Sequence, residues 1–233
     1  MTSRSFEQHL QVAHYSRNHL ILFVGEGNFA FSSMLATSFG SACNIYATTV
    51  DTYEVFRAKY GVQGIDRVNN LRSRGSKVLF DINITAAASD PYNPGLLVLL
   101  SMKFDTVIFN YPHAGYIRET HSFPAGFYYT LHHEDLIRIF FQFVSQMLLK
   151  SSGEIHITHK TTVYKRWKFN HSARLCGLSL KRSLLFVPDS FPGYKPCRGA
   201  GKNWVTTFPL GKGSRTYIYG IDWSNQLTNI YSY

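Results

Sequence analysis

Four groups of polar residues, each placed after a short apolar run, carry the chemistry this sequence can do. The first is Gly25-Glu26-Gly27-Asn28-Phe29, which follows Leu20–Val24. Glycines let backbone N–H groups approach a ligand closely, and a helix beginning there offers its positive N-terminus. A dinucleotide fingerprint needs a further glycine at position 30, where Ala30 stands, and Glu26 sets an anion where a pyrophosphate would lie. The ligand implied carries a cation. The second group is Asp51, at the end of the next apolar run. A carboxylate there can accept hydrogen bonds from both ribose hydroxyls, its alternative role being the N-cap of the next helix. Asp81 ends a third run, where it or its neighbours would meet an adenine amino group. Asn110-Tyr111-Pro112-His113 ends a fourth. A side-chain amide and a proline carbonyl offer two acceptors to a substrate N–H, the alternative being a β-turn built from Asn and Pro. His113 or a nearby water would take the proton that a nucleophilic nitrogen must lose, unless it only fixes the loop by hydrogen bonding. S-adenosylmethionine, with a sulfonium, an ammonium, a ribose and an adenine, suits this set.

These residues need elements to position them. Leu20–Val24, Asn44–Val50, Lys77–Phe80, Phe104–Phe109 and Gly153–Thr158 read as buried strands. Between them, helices are expected over Phe29–Phe39 with a stop at Gly40, over Tyr53–Tyr60 and Val68–Arg74, and over Glu134–Lys150; Leu96–Met102 reads as a short helix or turn. The alternation implies an α/β fold, a mainly parallel sheet with helices on both faces, whose ligands sit beyond the carboxyl ends of the strands. Leu178–Val187 and Thr216–Gly220 are strands with a Pro/Gly-rich loop and no helix between them, which implies an antiparallel pair at the sheet edge. Residues 1–19 read as an extension and 20–233 as one domain.

The net charge of +10 is uneven: residues 1–150 carry 12 Lys+Arg against 11 Asp+Glu, and residues 151–233 carry 12 against 3. A neutral ligand-binding part followed by a basic third points to a polyanionic partner. Basic and aromatic residues alternate in Tyr164-Lys165-Arg166-Trp167-Lys168-Phe169 and again from Tyr194-Lys195 to Trp204. Lys160, Tyr164, Lys165, Arg166, Lys195 and Arg198 are therefore the candidate RNA contacts, cations on phosphates and rings on unpaired bases. Burial of Trp167 and Phe169 inside an amphipathic element is the alternative for those two rings. Three cysteines without CxxC spacing imply neither a disulfide framework nor a zinc site, and His132-His133-Glu134 lacks a partner at ligand spacing, so it reads as a helix entry. Neither a signal-peptide core nor a membrane-length apolar run is present, so a soluble intracellular protein is expected.

The segments VGEGNFAFS (Val24–Ser32), FNYPHAG (Phe109–Gly115), GEIHITHK (Gly153–Lys160) and FPGYKPCRG (Phe191–Gly199) together resemble the eukaryotic large-subunit (25S) rRNA uridine-N(3)-methyltransferase-like family, including its plant members. The resemblance runs from about Leu20 to Gly220. It implies a Rossmann-like class I methyltransferase fold, S-adenosylmethionine as methyl donor, methylation of a base in rRNA and a nuclear or nucleolar site, the cytoplasm being the alternative. It places Gly25, Glu26, Gly27 and Asn28 on the methionine-side loop, Asp51 at the ribose and Asn110 to His113 on the catalytic loop. The chain departs from the family's usual residues at Asn28, where Asp is usual, at His159, where Leu is usual, and at Val163-Tyr164, where Pro-Tyr is usual. A methyltransferase-fold binding module without activity, or an enzyme acting on a small metabolite, would be the other ways to use such a chain.

Overall fold

The computed structural model describes residues 11–86, 90, 92–115, 127–145, 149–197, 206–208 and 213–223. A two-stranded hairpin, β1 (Gln11–Val12) and β2 (Tyr15–Ser16), precedes the main body. Then follow β3 (Ile21–Phe23), α1 (Ala30–Phe39), β4 (Ile45–Thr48), α2 (Tyr53–Ser73), β5 (Lys77–Leu79), α3 (Pro94–Leu100) and β6 (Phe104–Asn110). The chain continues through α4 (Phe127–Phe143), β7 (Leu149–Lys160), α5 (Thr161–Arg166), α6 (Phe169–Leu175), β8 (Leu178–Leu185) and β9 (Ser214–Ile221). Seven strands form one sheet in the order β5-β4-β3-β6-β7-β9-β8. The first five are parallel, and β9 runs antiparallel to both of its neighbours. Strand order reverses between β4 and β6, around β3, which puts the ligand crevice at the ends of those strands.

Alternation along the strands divides the core in two. Leu22, Val107, Phe109, Ile155 and Ile157 face one side, where α3, α4 and α6 pack. Ile21, Phe23, Ile45, Ala47 and Ile108 face the other, under α1 and α2. On this second side Tyr15 of the hairpin lies 2% exposed, with its ring 6.2 Å from Phe191 of the tail.

Four elements differ from their sequence expectation. The two helices expected between Asp51 and Gly75 are the two arms of α2, which meet at Gly61, where φ 53° and ψ −145° is a conformation reserved for glycine; the second arm starts right after Gly61 and not at Val68. α4 begins at Phe127, so His132 and His133 lie inside the helix and are not its entry. β7 begins at Leu149, which makes Lys150 a strand residue paired with Asp105 at 2.9 Å. Residues 161–175 form the short helices α5 and α6, and Trp167 and Phe169 are buried there, 3% and 0% exposed. For those two rings the amphipathic alternative holds.

Candidate functional site

Each strand of the crevice delivers its polar group through a distinct local device. After β3, Gly25 takes φ +62°, and a Cβ there would stand 2.9 Å from the Phe109 ring. Only glycine satisfies both conditions. The turn is pinned by Gly25 N–H donating to Thr48 Oγ1 at 3.3 Å and Glu26 N–H donating to the Thr48 carbonyl at 2.8 Å. Glu26 then folds back over α1, where its Oε1 accepts from the Ser32 N–H at 3.1 Å. Its Oε2 is buried and has no partner. Burial pushes the carboxyl up to about 7, against the Ser32 and Phe31 hydrogen bonds and the more distant Arg67 guanidinium, which favour the anion. An anion kept so short of partners is suited to a ligand cation.

Asn28 Oδ1 accepts from Ala30 N–H at 3.2 Å, and its carbonyl accepts from Arg67 at 3.3 Å. Phe29 takes φ 54° and points into the core among Phe56 and Phe80. The cofactor role expected of Phe29 would therefore fall to its backbone. Gly27 lies between these anchors.

Asp51 is not a helix cap. Thr52 does that work, accepting from the Val55 N–H at 3.3 Å, and so leaves the Asp51 carboxylate free of the backbone. Asp51 is 9% exposed and its Oδ1 pairs with Lys59. Its carbonyl accepts from the Asp81 N–H at 3.0 Å, which ties the end of β4 to the turn after β5. Asp81 itself is exposed, at φ 58°, with its carbonyl accepting from Asn93 at 3.1 Å.

After β6 the chain turns at Tyr111, φ 48°, whose N–H donates to the Thr158 carbonyl at 2.8 Å. Asn110 Oδ1 is buried without a partner. The next residues are fastened by imidazoles. His159 of β7 hydrogen-bonds the Pro112 carbonyl, and His132 Nε2 lies 2.8 Å from the Ala114 carbonyl. His113 Nδ1 accepts from the Gly115 N–H at 3.0 Å, so its proton is on Nε2, which donates to the Tyr129 hydroxyl at 3.0 Å. Both nitrogens of His113 are thus occupied. Desolvation lowers His113 to about 4 and His159 to about 3, with neighbouring imidazoles adding repulsion. Behind this loop His133, 0% exposed, stacks on Trp167 at 4.1 Å.

Of the basic set, Lys165, Arg166 and Lys195 are exposed. The Lys160 ammonium lies 5.9 Å from the centre of the Phe208 ring. Tyr164 is half-buried and stacks on Tyr217 at 4.0 Å, so its ring is already engaged. Arg198 and Trp204 lie outside the described residues. No group of three metal-binding side chains occurs among the described residues.

Sequence reasoning missed Lys59, Tyr129, the burial of His133 and the His159–Pro112 link. Lys59 had a weak signal, since a long cationic side chain in the second turn of the helix after Asp51 can reach back to that carboxylate. Tyr194 was read as an RNA-facing ring but packs edge-on against Phe31 at 4.9 Å, on the helix that follows the glycine turn.

The chain is similar to several known proteins. The chain is 36% identical over 213 residues to an uncharacterized Arabidopsis thaliana protein, covering 89% of this chain and 95% of that one. It is also 36% identical over 209 residues to heavy metal-associated isoprenylated plant protein 41 of Arabidopsis thaliana, covering 89% of this chain and spanning 38% of that longer protein. Among solved structures, a methyltransferase from Pyrococcus furiosus superposes with a TM-score of 0.49 at 13% identity, covering 87% of this chain and 76% of the other. The model of one family matches residues 22–198, from β3 through the glycine turn and the Asn110 loop to the tail, and the chain accordingly belongs to the rRNA (uridine-N3-)-methyltransferase BTM5-like family.

Proposed function

We propose that this protein transfers a methyl group from S-adenosylmethionine to a base nitrogen of RNA, the N3 of a uridine in rRNA. One observation carries the reading: Glu26, on the glycine turn at the point where strand order reverses, keeps a buried carboxylate oxygen without a partner. That oxygen suits the ammonium of the methionine moiety. Asp51, one strand over, suits the ribose, and the turn at Asp81 suits the adenine.

When bound, the cofactor supplies an electrophilic methyl group on a sulfonium. The protein's part is to bring the acceptor nitrogen in line with it, and positioning of this kind supplies much of the rate. Asn110 Oδ1, buried and unpartnered, accepts the hydrogen bond of the uracil N3–H, and the Pro112 carbonyl offers a second acceptor held in place by His159. The N3 proton would pass to water, and as the N3–methyl bond formed the methyl–sulfur bond would break with its electron pair left on sulfur. His113 holds the loop through Gly115 and Tyr129 and is a positioning residue here. Lys165, Arg166 and Lys195 supply cations for the phosphates beside the target base. The nucleus or nucleolus is the compartment that suits an rRNA substrate.

Calorimetric titration with S-adenosylmethionine, wild type against Asp51→Ala, followed by methylation of rRNA and mass spectrometry of its nucleosides, tests the reading. Saturable binding lost in the variant and a methyl group on uridine are expected. A folded protein that binds no S-adenosylmethionine would overturn it.

A further inference from the structure

We infer that Lys59 is the second half of the ribose site, donating hydrogen bonds to the sugar's vicinal diol while Asp51 accepts from it. The inference rests on the reading of Asp51 as the ribose acid. It starts from a mismatch of hydrogen-bond types. A ribose hydroxyl is one donor and up to two acceptors, whereas a carboxylate only accepts. Asp51 alone would leave the hydroxyl oxygens unmatched in a pocket where the acid is only 9% exposed. An ammonium carries three donors, and Lys59 spends one of them on Asp51 Oδ1. Among the described residues this is the one side-chain bond either group makes, which leaves Asp51 Oδ2 as an acceptor and two ammonium hydrogens as donors on paired groups.

The fold itself has little use for this pair. The N-terminus of α2 is already capped by Thr52, and a carboxylate just before a helix is favoured by the helix dipole without help. A lysine reaching back toward that end works against the dipole. Its side chain is 34% exposed, a setting in which ion pairs contribute little to stability. The Lys59 side chain reaches from the second turn of α2 to Asp51, just past the end of β4. The bend at Gly61 falls between the segment that carries Lys59 and the segment that carries Arg67, and both halves pack into the same core. Arg67 serves the methionine-side loop through the Asn28 carbonyl. One bent helix therefore supplies a cation to each end of the proposed ligand.

The experiment is calorimetric titration of the full chain with S-adenosylhomocysteine and with its 2′,3′-dideoxy counterpart. Wild type should prefer the diol. Lys59→Met should weaken S-adenosylhomocysteine about tenfold, the loss expected for one hydrogen bond to a charged group. It should leave the dideoxy ligand unchanged, so the preference shrinks. Lys59→Arg should keep most of the preference. Equal losses on both ligands would show a merely structural lysine and overturn the inference, as would a Lys59→Met protein that binds like wild type. Failure of wild type to bind either ligand would instead overturn the cofactor reading beneath it.

Discussion

His113 and Tyr129 tie the Asn110 loop to α4 through a 3.0 Å hydrogen bond in which the imidazole is the donor. An imidazole with its second nitrogen already accepting from Gly115 has no lone pair left for a substrate proton. Tyr129→Phe and His113→Ala should both lower the single-turnover methylation rate, by about tenfold for the loss of one positioning contact, and leave S-adenosylhomocysteine affinity unchanged. The pH profile of the rate should keep its shape in His113→Ala. Loss of an acidic limb in that variant would return the proton-acceptor role to His113.

Glu26 should trade stability for binding. Its folded carboxyl is raised to about 7 from an ordinary 4.5, so the unfolded chain gives up its proton first. The resulting cost grows as pH rises from 4.5 to about 7 and is constant above that. Glu26→Gln should therefore melt a few degrees higher than wild type at pH 8 and equal to it near pH 4. The same variant should bind S-adenosylmethionine at least tenfold more weakly. A variant that gained no stability at pH 8 would contradict the burial of the charge.

His14, His113 and His159 should make the protein acid-sensitive. Burial lowers them to about 4, about 4 and about 3, from 6.5. As pH falls below 6.5 the unfolded chain takes up protons that the folded one refuses, so stability is lost progressively down to the folded values. His159→Gln keeps a donor for the Pro112 carbonyl and does not titrate. Its melting temperature should fall less than that of wild type between pH 6.5 and 4.5, as scanning calorimetry would show.

Gly25→Ala should destabilise on two counts, a positive φ and a Cβ 2.9 Å from Phe109 Cε2. We expect a loss of about 1–3 kcal/mol in urea unfolding with the m-value unchanged. Cofactor binding should weaken as well, because the Glu26 turn shifts with the glycine.

Lys165 and Arg166 are exposed on α5. The double variant Lys165→Ala/Arg166→Ala should weaken RNA binding at all sequences and reduce the salt slope by about two, with S-adenosylhomocysteine binding intact. An unchanged slope would remove these residues from the RNA surface.

What the sequence revealed follows from how local each signal is. Leu20–Val24 and Phe104–Phe109 read as strands because a short apolar run bounded by turn residues has few other uses, and both became central strands, β3 and β6. The strand-end residues were found by the same logic, since Glu26, Asp51, Asp81 and Asn110 need only the strand to be placed. The β1–β2 hairpin was not legible. Each of its strands is two residues long, and Tyr15 is buried by Phe31 and Phe191, which no nearby residue announces. His133 looked like a helix entry because the apolar stripe starts only at Leu136, while the helix itself begins at Phe127. The imidazoles around Pro112 come from β7 and α4, brought together by tertiary packing and by no spacing within one segment.

The contact between Tyr15 and Phe191 has a consequence for how the molecule is made. On the ribosome the hairpin emerges well before Phe191, so Tyr15 has no complete seat until the Phe186–Tyr194 segment has been made. Contacts of such sequence separation are slow to close, because chain entropy is spent before they repay it. The early strands and α1 can assemble while the chain grows. The second core is sealed only when the Phe186–Tyr194 segment arrives. A nascent chain stalled before that point should expose Phe31 and Tyr15 to chaperones, and arrival of Phe191 is the event that ends their exposure.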